Sequence, residues 1–346
     1  MRTRGVLPLS RPSGRRKVVI FGLVLAAWTV LRAGLTVWPA AVLARETPQP
    51  QVGWGERLLV VSPHPDDETL AAAGLIRRVL SREGQVQVVI LTCGDGYSLA
   101  AREYFRRSTL SPQDLLRFGR IRMAEAREAA IRLGLDPDNV IFLGFPDRGL
   151  MRLLLTGRTD SRFTGATTVP YRECLRPGAA YTREELRHQL QAVINAFRPT
   201  IVLLPSAGDG HPDHRAAHHL FLDAVAGLSP GVDDGSRPRL LTYLVHPRAR
   251  TRVLEQYLGL PAAVEKSKDT ECLLLTREER AFKRNALGAY RTQRAVWSSL
   301  FLNSFLGPTE TFSPAPVDRA GHPASRQPLE PARSAPRGRA ALDPGP

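Results

Sequence analysis

The chain has 346 residues, 43% hydrophobic and 23% charged, enough apolar material for one sizeable core or two modest ones; one catalytic domain with appended ends is expected. The formal net charge is +15, but eight Lys/Arg and no Asp/Glu precede Glu46, which leaves +7 for the rest. That remainder is scattered Arg without aromatic interleaving, so no nucleic-acid partner is expected, and an anionic envelope or membrane neighbour fits instead. Three cysteines do not make a disulfide framework. A Cys174–Cys272 bridge in an oxidising compartment and three buried free thiols both remain open.

Residues 18–43 are apolar except for Arg32 and two threonines, behind five arginines and Lys17. Residues 1–45 therefore read as a signal peptide cut near Val42-Leu43-Ala44, or as an uncleaved membrane anchor. An arginine inside a span costs roughly 2.5–3.5 kcal/mol, which favours cleavage. An amphipathic helix belonging to the domain is the bland alternative. The positive flank keeps the amino terminus inside and places the following residues outside the cytoplasmic membrane, so an extracytoplasmic protein, secreted or anchored, is expected.

From Gly53 onward, strands alternate with helices. Leu58 to Val61 is a continuous apolar run, as in a strand buried on both faces, and Pro63 and Pro65 stop its pairing. A helix is expected over 68–81, a strand over 86–92 closed by Cys93-Gly94-Asp95-Gly96, a loop over 97–112, and a helix over 117–133 that stops at Gly134. A strand over 140–143 ends in Phe145-Pro146-Asp147. Asp147 is either a crevice carboxylate or a turn aspartate bonding its own backbone. Residues 161–178 read as a loop. Thr182 opens a helix to about Ala196, Thr200 to Leu204 is a strand, a helix runs to about Val225, and Leu240 to Val245 is a further strand. Thr276 with Glu279 opens a last helix through Tyr290. The pattern predicts an α/β, Rossmann-like fold: a mostly parallel sheet with helices on both faces and a site at the carboxyl ends of the strands. A catalytic domain over 53–306 and a disordered Pro/Ala/Arg-rich tail over 307–346 follow.

Two acid and histidine clusters stand behind two buried runs: His64-Pro65-Asp66-Asp67 after the first, and His211-Pro212-Asp213-His214 after Ile201 to Leu204. Hydrolytic zinc sites favour three nitrogen or oxygen ligands and one open position. His64, Asp67 and His214 supply that set. Asp66, beside a ligand, is the candidate base, and His211, held by Asp213, the oxyanion and leaving-group residue. A single His-Pro-Asp-Asp run has a plainer reading as a capped turn. His218 and His219 read as helix residues.

These residues resemble a known family. Ser62-Pro63-His64-Pro65-Asp66-Asp67-Glu68 is similar to the A-H-P-D-D-E signature, and His211-Pro212-Asp213-His214 to the H-P-D-H signature, of the PIG-L/LmbE-like N-acetylglucosaminyl deacetylases. Leu91 to Gly96 resembles its L-T-x-G-x-G turn, Arg122-x-x-Glu125 its R-x-x-E helix, and Lys283 to Gln293 its closing motif, with Tyr290 and Thr292 in place of His and Ser. The resemblance implies a Zn2+-dependent hydrolase, with Fe2+ as another ion for the same ligands, that removes acetyl from an N-acetylglucosamine-type amino sugar. By matching positions it makes His64, Asp67 and His214 metal ligands, Asp66 the base, His211 with Asp213 the acid and oxyanion pair, and Arg122 and Asp147 sugar contacts. Relatives acting on thiol-precursor sugars or phosphatidylinositol glycans work in or facing the cytosol. An exported member would instead meet an envelope glycan, a glycolipid or a secreted glycoside. Two other readings remain open: an amidase of another N-acyl amine or thiol conjugate, and an inactive metal-binding envelope protein.

Overall fold

The structure, a computed structural model, describes residues 47–228, 238–247, 269–293 and 301–315. The expected targeting segment, residues 1–45, lies outside them.

Among the described residues, seven strands form one sheet in the order β3-β2-β1-β4-β5-β7-β6, with β6 (Glu271–Leu274) and β7 (Thr309–Pro314) at one edge. The five parallel strands are β1 (Arg57–Ser62), β2 (Gln85–Thr92), β3 (Val140–Phe145), β4 (Ile201–Pro205) and β5 (Arg239–Tyr243). β1 is flanked on both edges, Leu58 pairing with Val86 on one side and Ile201 on the other, and Leu58 to Val61 are fully buried. A strand packed on both faces has no polar side, which is why its sequence shows no alternation.

The α-helices among the described residues are α1 (Asp67–Leu80), α2 (Ser98–Phe105), α3 (Pro112–Arg132), α4 (Leu150–Thr156), α5 (Arg183–Phe197), α6 (Pro212–Ala226) and α7 (Arg277–Leu287). α7 packs on α1 and α3, and α6 packs on α4 and α5, so the helices form two layers on the parallel sheet. The expected α/β architecture is the observed one.

Three expectations are corrected. Residues 98–105 are helical rather than loop: Ala100 and Ala101 bury against Leu115 and Phe118 of α3, a long-range contact that no local periodicity announces. α3 starts at Pro112, capped by a Ser111–Asp114 box with proline in the first turn. The tail does not begin at 307, because Thr309–Pro314 forms β7, antiparallel to both β5 and β6 (Glu271–Leu274). Glu310 of β7 is buried, accepts from the Gly74 and Leu75 amides at 2.9 and 3.0 Å, and pairs with the buried Lys283 ammonium at 2.8 Å. Residues 316–346 lie outside the described ones.

Of the two readings left open for the cysteines, the structure supports the three buried free thiols. Cys174 Sγ lies 3.9 Å from Cys93 Sγ and its neighbour Leu175 bonds to β3, whereas Cys272 belongs to β6 at the opposite edge of the sheet. At about 4.8 Å per strand the two edges are roughly 29 Å apart, so a Cys174–Cys272 bridge is excluded. All three cysteines are free and buried.

Candidate metal and hydrolytic site

The chain leaves β1 for one side of the sheet and returns through β4 on the other, so β1 and β4 flank the topological switch point. The loops after both strands emerge at that crevice, and both clusters lie on them.

The first loop is pinned by Pro63, whose carbonyl accepts from Thr92 N at 3.0 Å and Thr92 Oγ1 at 2.9 Å. Asp66 sits at φ 130°, a conformation L residues rarely adopt. It is held there on three sides. Its carbonyl accepts from Thr69 and Leu70, its amide donates to Glu68 Oε2 at 3.2 Å, and Arg122 Nη2 donates to its Oδ2 at 3.0 Å. Glu68 is in turn held by the Tyr290 hydroxyl. In the second loop His211 caps α6: its Nδ1 accepts from the Asp213 amide at 3.2 Å. Since that nitrogen accepts, the proton of the neutral ring is on Nε2.

The three expected ligands meet. Asp67 Oδ2 lies 3.2 Å from His64 Nδ1 and 3.2 Å from His214 Nε2. Donor atoms sharing one tetrahedral ion at bond lengths of about 2.0–2.2 Å stand roughly 3.3–3.5 Å apart, so each of these two pairs has the spacing of ligands on a zinc-type ion; the sets whose donor atoms all lie within 4.8 Å of one another are His64, His211 and His214, then Asp67, His214 and His246, then His64, Asp147 and Asp213. Two further observations agree. Both His214 ring nitrogens are buried without an aligned hydrogen bond. Each ligand imidazole also turns its other nitrogen to a carboxylate: His64 Nε2 to Asp147 at 3.2 Å and Asp213 at 3.4 Å, and His214 Nδ1 to Asp209 at 3.2 Å. That outer shell fixes ring orientation in metal sites. Asp67, Asp147, Asp209 and Asp213 are all buried, and even with both imidazoles charged they leave the cluster at −2. Such a cluster attracts a cation.

The protonation pattern follows from these contacts. Burial depresses the His64 and His214 imidazoles, but the surrounding carboxylates win, raising His64 well above its ordinary value and His214 to about 9. Burial alone would raise Asp67, yet His214 and His64 hold it far below the carboxylate range. Burial lifts Asp66 to about 7 against the pull of Arg122. His211 is pushed down to about 2, by burial and then by His64, His214 and His246, so it is neutral.

Three expected contacts are placed differently. Asp213 does not hold His211 through its side chain: its carboxylate accepts from the Arg148 and Leu150 amides at 2.6 and 3.2 Å and faces His64, and only its backbone reaches His211. Asp147 Oδ1 faces His64 and Oδ2 accepts from Gly96 N at 2.9 Å, so both oxygens are engaged within the protein, while the residue also lines the cavity, on the crevice side expected of it. Arg122 is 3% exposed and donates to Pro65 O, Gly94 O and Asp66; it positions Asp66, although one edge reaches the cavity. As expected, His218 and His219 lie within α6, and the His218 ring lies 2.9 Å from the Pro205 carbonyl.

The sequence reading missed Asp209 and His246. Asp209 Oδ1 accepts from His211 N at 2.8 Å, and Oδ2 accepts from Val245 N at 3.0 Å and His246 N at 3.1 Å while facing His214. It ties the loop after β5 to a metal-ligand candidate. Its signal was its place two residues before His211; that of His246 was its place just beyond a buried strand. The His246 ring lies 4.8 Å from that of His214 and stacks on Phe301 at 5.4 Å. A cavity of about 300 Å³ opens above the cluster, with Asp66, His211, His246, Gln293 and Phe301 in its wall. Gln293 Nε2, buried there, has no hydrogen-bond partner.

The PIG-L family profile, described as GlcNAc-PI de-N-acetylase, matches residues 59–225. A 1D-myo-inositol 2-acetamido-2-deoxy-alpha-D-glucopyranoside deacetylase of Saccharomonospora viridis is 31% identical over 258 residues, covering 70% of this chain and 87% of the relative. Its counterpart in Corynebacterium urealyticum is 28% identical over 252 residues, 69% of this chain and 71% of that one. Among solved structures, the N,N'-diacetylchitobiose deacetylase from Pyrococcus horikoshii aligns at TM-score 0.47 and 20% identity over 74% of this chain and 82% of that one. With two histidine and aspartate loops meeting at the switch point, and a relative matched over most of both lengths, this chain belongs to the PIG-L family.

Proposed function

We propose that this protein is a metal-dependent hydrolase that removes the N-acetyl group from an N-acetylglucosamine-type amino sugar. The observation that carries the reading is Asp67 Oδ2 standing 3.2 Å from both His64 Nδ1 and His214 Nε2, with the Asp66 carboxylate beside them. Relatives named as deacetylases of acetamido sugars support the substrate class. His64, Asp67 and His214 would hold Zn2+ or another divalent ion such as Fe2+. When bound, that ion supplies Lewis acidity, polarising the amide and making water easier to deprotonate.

The chain's own residues carry the protons. Asp66, with its pKa near 7, takes a proton from the attacking water, and Arg122 fixes the carboxylate in the geometry for doing so. His211, neutral with its proton on Nε2, donates a hydrogen bond to the carbonyl oxygen as negative charge develops there. A neutral ring has no surplus proton to give the leaving group, so Asp66 returns the one it took to the departing nitrogen as the C–N bond breaks. Acetate and a free amine result. Asp147, Asp213 and Asp209 orient the two ligand rings.

Residues 1–45, basic and then apolar, direct the enzyme out of the cytoplasm as a signal peptide or anchor, towards an envelope glycan, glycolipid or secreted glycoside. Acetate release from simple N-acetylglucosaminides, abolished by chelation and restored by Zn2+ or Fe2+, tests the activity. The same assay on medium, membrane and cytoplasmic fractions tests the location. Release of another acyl group or a thiol instead of acetate would contradict the substrate reading, and activity confined to the cytoplasm would contradict the export.

A further inference from the structure

His246 has no part in the chemistry above, although its ring stands against those of His211 and His214. It comes from the loop after β5 and lines the cavity. Three contacts fix it. Its amide donates to Asp209 Oδ2 at 3.1 Å, and its carbonyl accepts from Gly210 N at 2.6 Å. That approach needs a glycine, because a Cβ on Gly210 would stand 2.7 Å from the His246 carbonyl oxygen. The ring lies nearly parallel to that of Phe301, with 4° between the planes. An imidazole held at backbone and ring alike is in place before anything binds to it.

The donor atoms around it indicate what it is held for. Three sets of donors lie within 4.8 Å of one another, and they differ in which atoms are already engaged. In the set of His64, Asp147 and Asp213, the carboxylates accept from the Gly96, Arg148 and Leu150 amides and orient the outer nitrogen of His64. In that of His64, His211 and His214, the His211 Nδ1 accepts from the Asp213 amide, which leaves the proton on Nε2 and no lone pair there for an ion. The third set, Asp67, His214 and His246, has no such conflict. Among the described residues neither ring nitrogen of His246 has a hydrogen-bond partner, and both nitrogens of His214 are buried without one. Neutral imidazole is the commonest protein ligand of metals.

We propose that His246 is a further ligand of the divalent ion, so that the imidazoles of His64, His214 and His246 and the Asp67 carboxylate surround it. The inference rests on the metal-dependent reading above and extends its ligand set. Zinc in hydrolytic sites can expand to five ligands, so a fourth protein ligand still leaves a place for water. An added imidazole also biases the site toward ions that favour nitrogen, Zn2+ and Fe2+ among them, and away from Mg2+ and Ca2+.

The test reads the ion rather than turnover. The purified protein, His246→Ala and His246→Phe are stripped of metal, and Zn2+ affinity is measured by competition with a chromogenic chelator. Co2+ is then loaded instead and its visible absorption recorded, because that spectrum reports the number and kind of ligands. His246→Phe keeps a flat ring against Phe301 but offers no donor, which separates ligation from packing. Both variants are expected to bind Zn2+ at least about tenfold more weakly than the parent, the least that losing even an outer partner of a ligand costs, and both to change the Co2+ spectrum. Parent affinity with an unchanged spectrum in both variants overturns the inference and leaves the metal-dependent reading standing. Weakening in His246→Ala that His246→Phe reverses also overturns it, by assigning His246 to packing. A parent that binds neither ion sinks the metal-dependent reading itself, and this ligand with it.

Discussion

Asp95 is the residue whose behaviour is most directly tied to its surroundings and least to chemistry. It is buried, accepts from the Tyr171 hydroxyl at 2.6 Å through Oδ2, and leaves Oδ1 without a partner. Burial raises its pKa to about 7, in spite of the bond from Tyr171. A carboxyl whose folded pKa exceeds its unfolded value adds stability that is full below about 4 and lost as pH rises through 7. Asp95→Asn should therefore flatten the fall in unfolding free energy between pH 5 and 8.5, by about 2 kcal/mol or more, in denaturant titrations at both pH values. An unchanged pH slope would contradict the assigned environment. At this scale the residues proposed to hold the ion were visible as candidates, because His64, Asp67 and His214 lie in two short proline-stiffened runs. The orienting carboxylates were not. Asp209, Asp147 and Asp213 acquire their partners from loops that are distant in sequence, and a lone aspartate in a turn looks the same whether it faces water or an imidazole.

Among the elements, β7 has the largest consequence for stability. Its Glu310 is what compensates Lys283, a buried cation that among the described residues otherwise bonds the Leu70 carbonyl. Removing one partner of a buried pair costs about 3–5 kcal/mol, since the other charge stays desolvated. A chain ended at Gly307, and the point variant Glu310→Ala, should both lose stability of that order in chemical denaturation, whereas Glu310→Ala with Lys283→Met should recover much of it. Full stability of the shortened chain would show that the strand is not part of the folded unit. The five parallel strands were readable as apolar runs. β6 and β7 were not, because edge strands with alternating polar residues lack that signature: β7 reads Thr-Glu-Thr-Phe-Ser-Pro beside a Pro-rich stretch that resembles a linker. Likewise α2 is a short helix whose stability comes from Phe118 and Leu115 of α3, a tertiary contact rather than a local preference.

For the molecule as a whole, strand order is what makes a site from two sequence fragments. Because β1 and β4 are neighbours, residues separated by 149 positions in the chain, His64 and Asp213, face one another at 3.4 Å. The histidine and aspartate cluster then occupies the crevice between the starts of α1 and α6. We propose a division of labour there: His64, Asp67 and His214 hold the ion, and Asp66 moves the proton. The most direct test is Asp66→Asn, with bound metal and acetate release measured on the same purified protein. Metal content equal to that of the parent with kcat lower by about 10²- to 10⁴-fold is the predicted result. Turnover close to the parent's, or loss of the metal together with activity, would contradict it.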